Sequence, residues 1–262
     1  MTFDLLALRL HFTAKDPIDF APGTPGNILR GAFGMVFRSI ACAADCPGRA
    51  GRDVRECEQR ATCAYARTFE PASVQPGPSG LSDHPRPFVF RASHLDNRTI
   101  SPGDPFWFDV HLFDTRNPPV QDFTRAFSAL ASEGFGPKRA RANFVSADAA
   151  SPISISLDSA GTGAQRIRVE FKTPTELKSA DRVVTQPEFG VLFARIRDRI
   201  STLRALYGPG PLEIDFRALG DRASEIRMTR CDTRHIAAAR RSSRTGQVHG
   251  IGGFIGTAEY EG

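Results

Sequence analysis

The sequence predicts an α+β chain of two tandem ferredoxin-like domains, the plan also used by the RNA recognition motif, and three observations carry the prediction. Apolar periodicity over the first 150 residues reads strand, helix, strand, strand, helix, strand. A second alternating strand opens at Arg166, and a long amphipathic helix follows it. Between the two, residues 151–163 are rich in Ser, Gly and Ala and read as a linker. The expected domains are residues 1–150, with a Cys-rich insertion over 42–80, and residues 164–262. A chain of 262 residues with 40% apolar content can bury two cores of that size.

In the first domain, Phe3 to Phe12 is apolar at nearly every position, the pattern of a strand buried on both faces in mid-sheet. Pro22-Gly23-Thr24-Pro25-Gly26 is a turn, after which Asn27 is placed to cap a helix over Ile28–Ala43. Leu29, Ala32, Phe33, Val36, Phe37 and Ile40 would share its apolar face. From Asp45 to Gly80 the pattern is irregular, and so long a span needs a metal or a task. Strands are expected over Phe88–Ala92 and Phe106–Phe113, the second alternating Phe106, Phe108, Val110 and Leu112 against Trp107, Asp109, His111 and Phe113. Asn117-Pro118-Pro119 closes that strand, and Val120–Ser132 has helical spacing. Gly134 to Arg141 is then a basic, Gly-containing loop leading to a strand near Phe144.

The second domain begins with Arg166–Phe171, a strand with a basic face. Glu188–Tyr207 reads as a helix with Phe189, Leu192, Phe193, Ile196, Ile200, Leu203 and Leu206 inward and Arg195, Arg197, Asp198, Arg199 and Arg204 outward. Gly208-Pro209-Gly210-Pro211 stops it, and one or two strands follow from Ser224.

The final segment from Arg234 carries the most chemical information. Arg234, Arg240, Arg241 and Arg244 stand with His235, His249 and a run of glycines around a short apolar stretch. Arg presents a planar fork of donors to phosphate oxygens, and Gly252 and Gly253 let main-chain N–H groups approach the same anion. Arg240, Arg241 and Arg244 therefore read as a phosphate clamp, with Lys138, Arg139 and Arg141 as a second basic group. The bland reading of each is a solvated surface charge. The whole chain agrees with a nucleic-acid partner, at a net charge of +5, and only Lys15, Lys138, Lys172 and Lys178 among its 34 basic residues are lysines.

Of the six histidines, His11 and His111 lie in strands and read as structural, and His84 and His94 flank turns. His235 and His249 bracket the Arg-rich run, where a phosphate would raise their pKa and suit proton transfer; a solvated histidine is the alternative. Cys42, Cys46, Cys57 and Cys63 follow a C-x3-C-x10-C-x5-C spacing. In a reducing compartment they read as a closed structural zinc site, although the absence of a paired C-x2-C leaves free thiols open. Cys231 stands apart, as a buried thiol. Gly250 to Gly256 makes a poor dinucleotide fingerprint, because no βαβ unit follows it. No apolar run approaches a membrane span and no signal-like segment opens the chain, so a cytoplasmic protein is expected.

Taken together, several motifs resemble the CRISPR precursor-RNA processing endoribonucleases of the RAMP superfamily. They are Gly31-Ala32-Phe33-Gly34, Cys63-Ala64-Tyr65 with Phe69-Glu70-Pro71, the Gly134–Arg141 loop, and Val169-Glu170-Phe171-Lys172-Thr173-Pro174-Thr175-Glu176-Leu177-Lys178. Ser242-Ser243-Arg244-Thr245-Gly246-Gln247, Gly253-Phe254-Ile255-Gly256 and Tyr260-Glu261-Gly262 complete the series. The resemblance implies two ferredoxin-like domains gripping a CRISPR repeat RNA and cutting it, with no catalytic metal, by 2′-hydroxyl attack to leave a 2′,3′-cyclic phosphate. It also leaves room for a non-catalytic subunit of the same architecture that holds RNA beside other CRISPR effector proteins. Many members look to a histidine on or after the first helix as general acid or base, and residues 27–44 contain none, so that assignment does not transfer. Members tend to continue past Tyr-Glu-Gly with a helix and a Gly-rich loop, so the expectation is that either the second domain is abbreviated or that element is missing.

Overall fold

A computed structural model of the chain describes residues 1–42, 46, 57–71, 84–158, 163–179, 182–237, 239–241, 248–250 and 252–262. It contains two compact units, one comprising Phe3–Ile155 with Leu206–Gly208, the other Met1–Thr2, Ser156–Ala205 and Pro209–Gly262.

The first unit runs β1 (Thr2–Ala14), β2 (Ile18–Phe20), α1 (Pro25–Ala41), α2 (Ala64–Thr68), β3 (Phe88–Arg91), β4 (Arg98–Ile100), β5 (Pro105–Leu112), α3 (Val120–Glu133), β6 (Ala142–Ala147) and β7 (Ser151–Ser156). Its main sheet has the order β3-β5-β1-β6 with every neighbour antiparallel, and β7 also pairs β1. Numbered along the chain these four strands stand 2-3-1-4, with α1 and α3 as the connections. That is the ferredoxin-like arrangement.

Periodicity explains which faces meet. Phe106, Phe108, Val110 and Leu112 of β5 are buried with Leu8, Leu10, Phe12 and Ala14 of β1. Phe33 of α1 lies against Phe37 at 4.9 Å and Phe127 of α3 at 4.6 Å, which ties both helices to one apolar layer. Gly34 leaves room for the Phe69 ring, which a side chain at 34 would strike.

Four expectations are corrected here. The β1 strand is fully buried on one face only; the other presents Arg9 and His11, half-exposed, because both helices connect on the same side of the antiparallel sheet. Asn27 is inside α1 rather than capping it. The helix begins at Pro25, whose fixed φ and missing N–H suit the first turn. Within the expected irregular span, Glu58–Ala61 forms a 3-10 turn and Ala64–Thr68 a helix, while residues 43–45, 47–56 and 72–83 lie outside the described residues. The expected linker begins as the strand β7.

The second unit holds β8 (Arg166–Thr175), β9 (Lys178–Ser179), β10 (Arg182–Val183), α4 (Phe189–Tyr207, apart from its last two residues), α5 (Phe216–Glu225), β11 (Arg227–Ile236), β12 (Ala239–Arg241), β13 (Val248–Gly250) and β14 (Gly253–Glu261). Its sheet is β11-β14-β8, antiparallel throughout, which is the 2-3-1 part of the same plan. Among the described residues there is no fourth strand in it. Phe171 meets Phe254 edge-on at 4.9 Å, and Phe189 packs on Tyr260 at 5.2 Å. The Tyr260 hydroxyl donates to the Pro187 carbonyl at 2.6 Å, and burial, first of all, pushes its pKa up to about 12.

Two inversions on α4 stand out. Ile196 is exposed, whereas Arg204, expected outside, is buried and donates through Nε to the Gly210 carbonyl at 3.2 Å. The long aliphatic stem packs well and the turn that ends the helix satisfies Nε, while Nη1 is buried with no hydrogen-bond partner among the described residues. The α5 helix was not anticipated, although Asp215 caps it by accepting from the Ala218 N–H at 2.9 Å.

Candidate nucleic-acid interface

The described residues of the Arg- and Gly-rich tail form two sets of paired antiparallel strands. β11 and β14 pair as far as His235 opposite Phe254 and Ile236 opposite Gly253. Beyond them β12 and β13 continue as a two-stranded ribbon, with Arg240 opposite His249, Arg241 opposite Val248 and Ala239 opposite Gly250. The fold thus brings Arg240, Arg241 and His249 to one ribbon, and it leaves His235 exposed where that ribbon leaves the sheet. Arg244 lies outside the described residues. Part of the tail is core: Phe254, Ala258 and Tyr260 are buried. Gly253 has a structural task of its own, since a side chain there would run into the main chain of Thr175. Gly252 directly precedes β14.

The open face of the same sheet carries a pattern that single-residue weighing missed. Glu261 stands between Arg166 and Arg227 in register, and Glu259 between Arg168 and Arg230. The Arg166 guanidinium reaches Glu261 at 3.3 Å, and Arg230 reaches Asp232 at 2.6 Å. Four arginines flanking two glutamates leave these two rows of the sheet net positive, with no aromatic side chain among the six for stacking a base. The signal was paired arginines on strands distant in sequence, two apart on β8 (Arg166, Arg168) and three apart across a register shift on β11 (Arg227, Arg230).

The second basic group, in the first unit, is neutralised within its own fold. Lys138 Nζ lies 2.7 Å from Asp19, Arg139 3.6 Å from Glu133 and Arg141 2.9 Å from Asp16. Arg141 and Lys138, by hydrogen bonds and charge, hold the carboxyls of Asp16 and Asp19 below the usual carboxylate range. These are exposed pairs, which a phosphate can displace. The loop is a tight turn closed by a Phe135–Ala140 bridge, with Gly134, Gly136 and Arg139 at positive φ.

Three of the remaining histidines are accounted for within the first unit. His11 Nε2 is 2.9 Å from Asp148, His94 stacks on Trp107 at 4.0 Å, and burial keeps the pKa of His111 below the usual imidazole range. No histidine occurs on α1. Cys42 Sγ is 3.8 Å from Cys63 Sγ, and Cys46 Sγ is 3.4 Å from Cys57 Sγ. As they stand these thiols form two pairs, and among the described residues no group of three or more His, Cys, Asp or Glu side chains is already set out as a metal cage.

The AF_1859_N family, described as an N-terminal domain, matches residues 3–178. The chain belongs to this family. No curated protein sequence matches it. This AF_1859_N member shares its fold with a Cas6 (TTHB231) product complex, at a TM-score of 0.51 and 12% identity over 98% of this chain and 85% of that one. A Cas6 (TTHA0078) product complex aligns at a TM-score of 0.47 and 16% identity, over 98% and 83%. Thermus thermophilus Cas6 (TTHB231) aligns at 0.46 and 13%, over 98% and 82%. The first of these likenesses spans both units of the AF_1859_N chain, so the resemblance drawn from its motifs extends to the fold. Among the described residues no helix is long and apolar enough to cross a membrane.

Proposed function

We propose that this chain is a CRISPR precursor-RNA processing endoribonuclease that binds repeat RNA and cuts it by metal-independent 2′-hydroxyl attack, in the cytoplasm. The observation that carries the reading is the fold shared with a Cas6 product complex over 98% of the chain, joined to an Arg-, His- and Gly-bearing ribbon. Cleavage of this kind needs three things from the protein: an oriented 2′-hydroxyl, proton transfer, and stabilisation of the added negative charge. Arg240, Arg241 and Arg244 would hold the phosphate, and Gly252 and Gly253 would let main-chain N–H groups approach it. His249, opposite Arg240 on the ribbon, and His235 at its base are the candidates to take the 2′-hydroxyl proton and to protonate the leaving 5′-oxygen. Lys138, Arg139 and Arg141 would contact the RNA elsewhere by exchanging their carboxylate partners for phosphates.

A second reading, a subunit that holds repeat RNA in a CRISPR effector complex without cutting it, is favoured by the absence of a histidine on α1. One experiment separates the two. The chain is incubated with its repeat RNA in EDTA, beside a substrate carrying a 2′-deoxyribose at the scissile position. Cleavage to a 2′,3′-cyclic phosphate, abolished by the deoxy substitution and lowered about 10²–10⁴-fold in His235→Ala or His249→Ala, supports the enzyme. Tight binding with no product under all conditions supports the subunit.

A further inference from the structure

Four cysteine thiols meet where the C-terminus of α1 faces the segment leading into α2, a place that the RNA-processing reading leaves without a task. Cys42 follows the last turn of α1, Cys57 precedes the Glu58–Ala61 turn, and Cys63 precedes α2. With Cys46 they form two close pairs within one cluster, Cys63 to Cys42 at 3.8 Å and Cys46 to Cys57 at 3.4 Å. Cys42, Cys46 and Cys57 are buried at 7%, 5% and 6% exposure, among the apolar residues of the first unit.

Two features fit a cation at the centre of this cluster. Zinc bound to four thiolates at about 2.3 Å sets neighbouring sulfurs about 3.8 Å apart, and both pairs lie close to that edge length. No sulfur pair is at bonding distance, so the cysteines are free. Neutral thiols turn toward one another, which accounts for two pairs rather than a cage.

We infer that Cys42, Cys46, Cys57 and Cys63 bind one zinc ion in a closed four-thiolate site that staples the α2 segment to the end of α1. Binding displaces the thiol protons to solvent, and it leaves no open coordination position for catalysis. The staple would hold Tyr65 and Phe69 in place, with Phe69 across Gly34 and Tyr65 6.1 Å from Phe37. The inference is independent of whether the chain cuts RNA.

The test measures zinc by elemental analysis of the full chain, expressed and purified without chelator. About one zinc per chain is expected, with stoichiometric zinc lost in Cys57→Ser and in Cys63→Ser and retained in Cys231→Ser. A cobalt-substituted chain should show the intense thiolate-to-cobalt absorption of a tetrahedral sulfur site. Should the serine variants fail to fold, the native chain serves instead: a mercurial should release its zinc and lower its unfolding temperature in parallel. A metal-free chain with reactive thiols overturns the inference. So do disulfides detected by mass, iron in place of zinc, or zinc retained in both serine variants.

Discussion

The Arg141 guanidinium is held by Asp16, whose Oδ2 accepts from Arg141 Nε at 2.9 Å and from the Arg141 main-chain N–H at 3.0 Å. With Lys138 on Asp19, this turns an apparent basic jaw into a set of exposed ion pairs. An RNA that docks there must exchange carboxylates for phosphates. Asp16→Asn with Asp19→Asn should therefore raise affinity for repeat RNA and steepen the fall of log K with log salt by about 1.4, each of the two freed cations adding about 0.7 on a single strand. Filter binding across a salt series measures it, and unchanged affinity means the loop does not touch RNA.

The same carboxylates make an acid-sensitive element. Their folded pKa values are depressed, so their contribution is fully present above the unfolded value of about 3.9 and is lost as pH falls through the lower folded values. Denaturant midpoints taken from about pH 5 downward should fall less steeply in Asp16→Asn than in the native chain. Parallel acid limbs would count against the pairing.

In the tail, replacing Arg240, Arg241 and Arg244 together by Ala should weaken RNA binding at low salt and make the salt slope shallower by about 2. The thermal unfolding temperature should hardly change, because the ribbon lies beyond the paired core of β11 and β14. Equal slopes in variant and native chain would remove the clamp.

Phe33→Ala should cost about 3–5 kcal/mol, since the ring joins Phe37, Phe90, Phe123 and Phe127 at full burial. Urea unfolding of the full chain should show a lowered midpoint. A loss under about 1 kcal/mol would mean that the helix layer repacks around the gap.

The first unit was largely legible because its alternation is strong. Phe106, Phe108, Val110 and Leu112 announce β5, and Phe33 and Phe37 announce the buried face of α1. The second unit was less so. α5 carries Phe216, Ala218, Leu219 and Ala223 but buries only Ala223, and α4 turns Ile196 outward while Arg204 is covered. Its open sheet face needed three strands in register before Arg166, Arg168, Arg227 and Arg230 became one feature.

What the sequence by itself determined is local: the strand and helix order of the ferredoxin-like plan, and a tail rich in arginine, histidine and glycine. Hydrophobic periodicity and residue chemistry act over a few neighbours, so they are written where they act. Only the tertiary structure decided which charges are paired within the fold. Lys138 meets a carboxylate 119 residues away and Arg141 one 125 residues away, and no spacing rule announces either. It also decided that Phe254, Ala258 and Tyr260 in the tail are core, leaving the ribbon of Arg240, Arg241 and His249 beyond them. The reason is that strand register alone sets which side of a hairpin packs and which meets water.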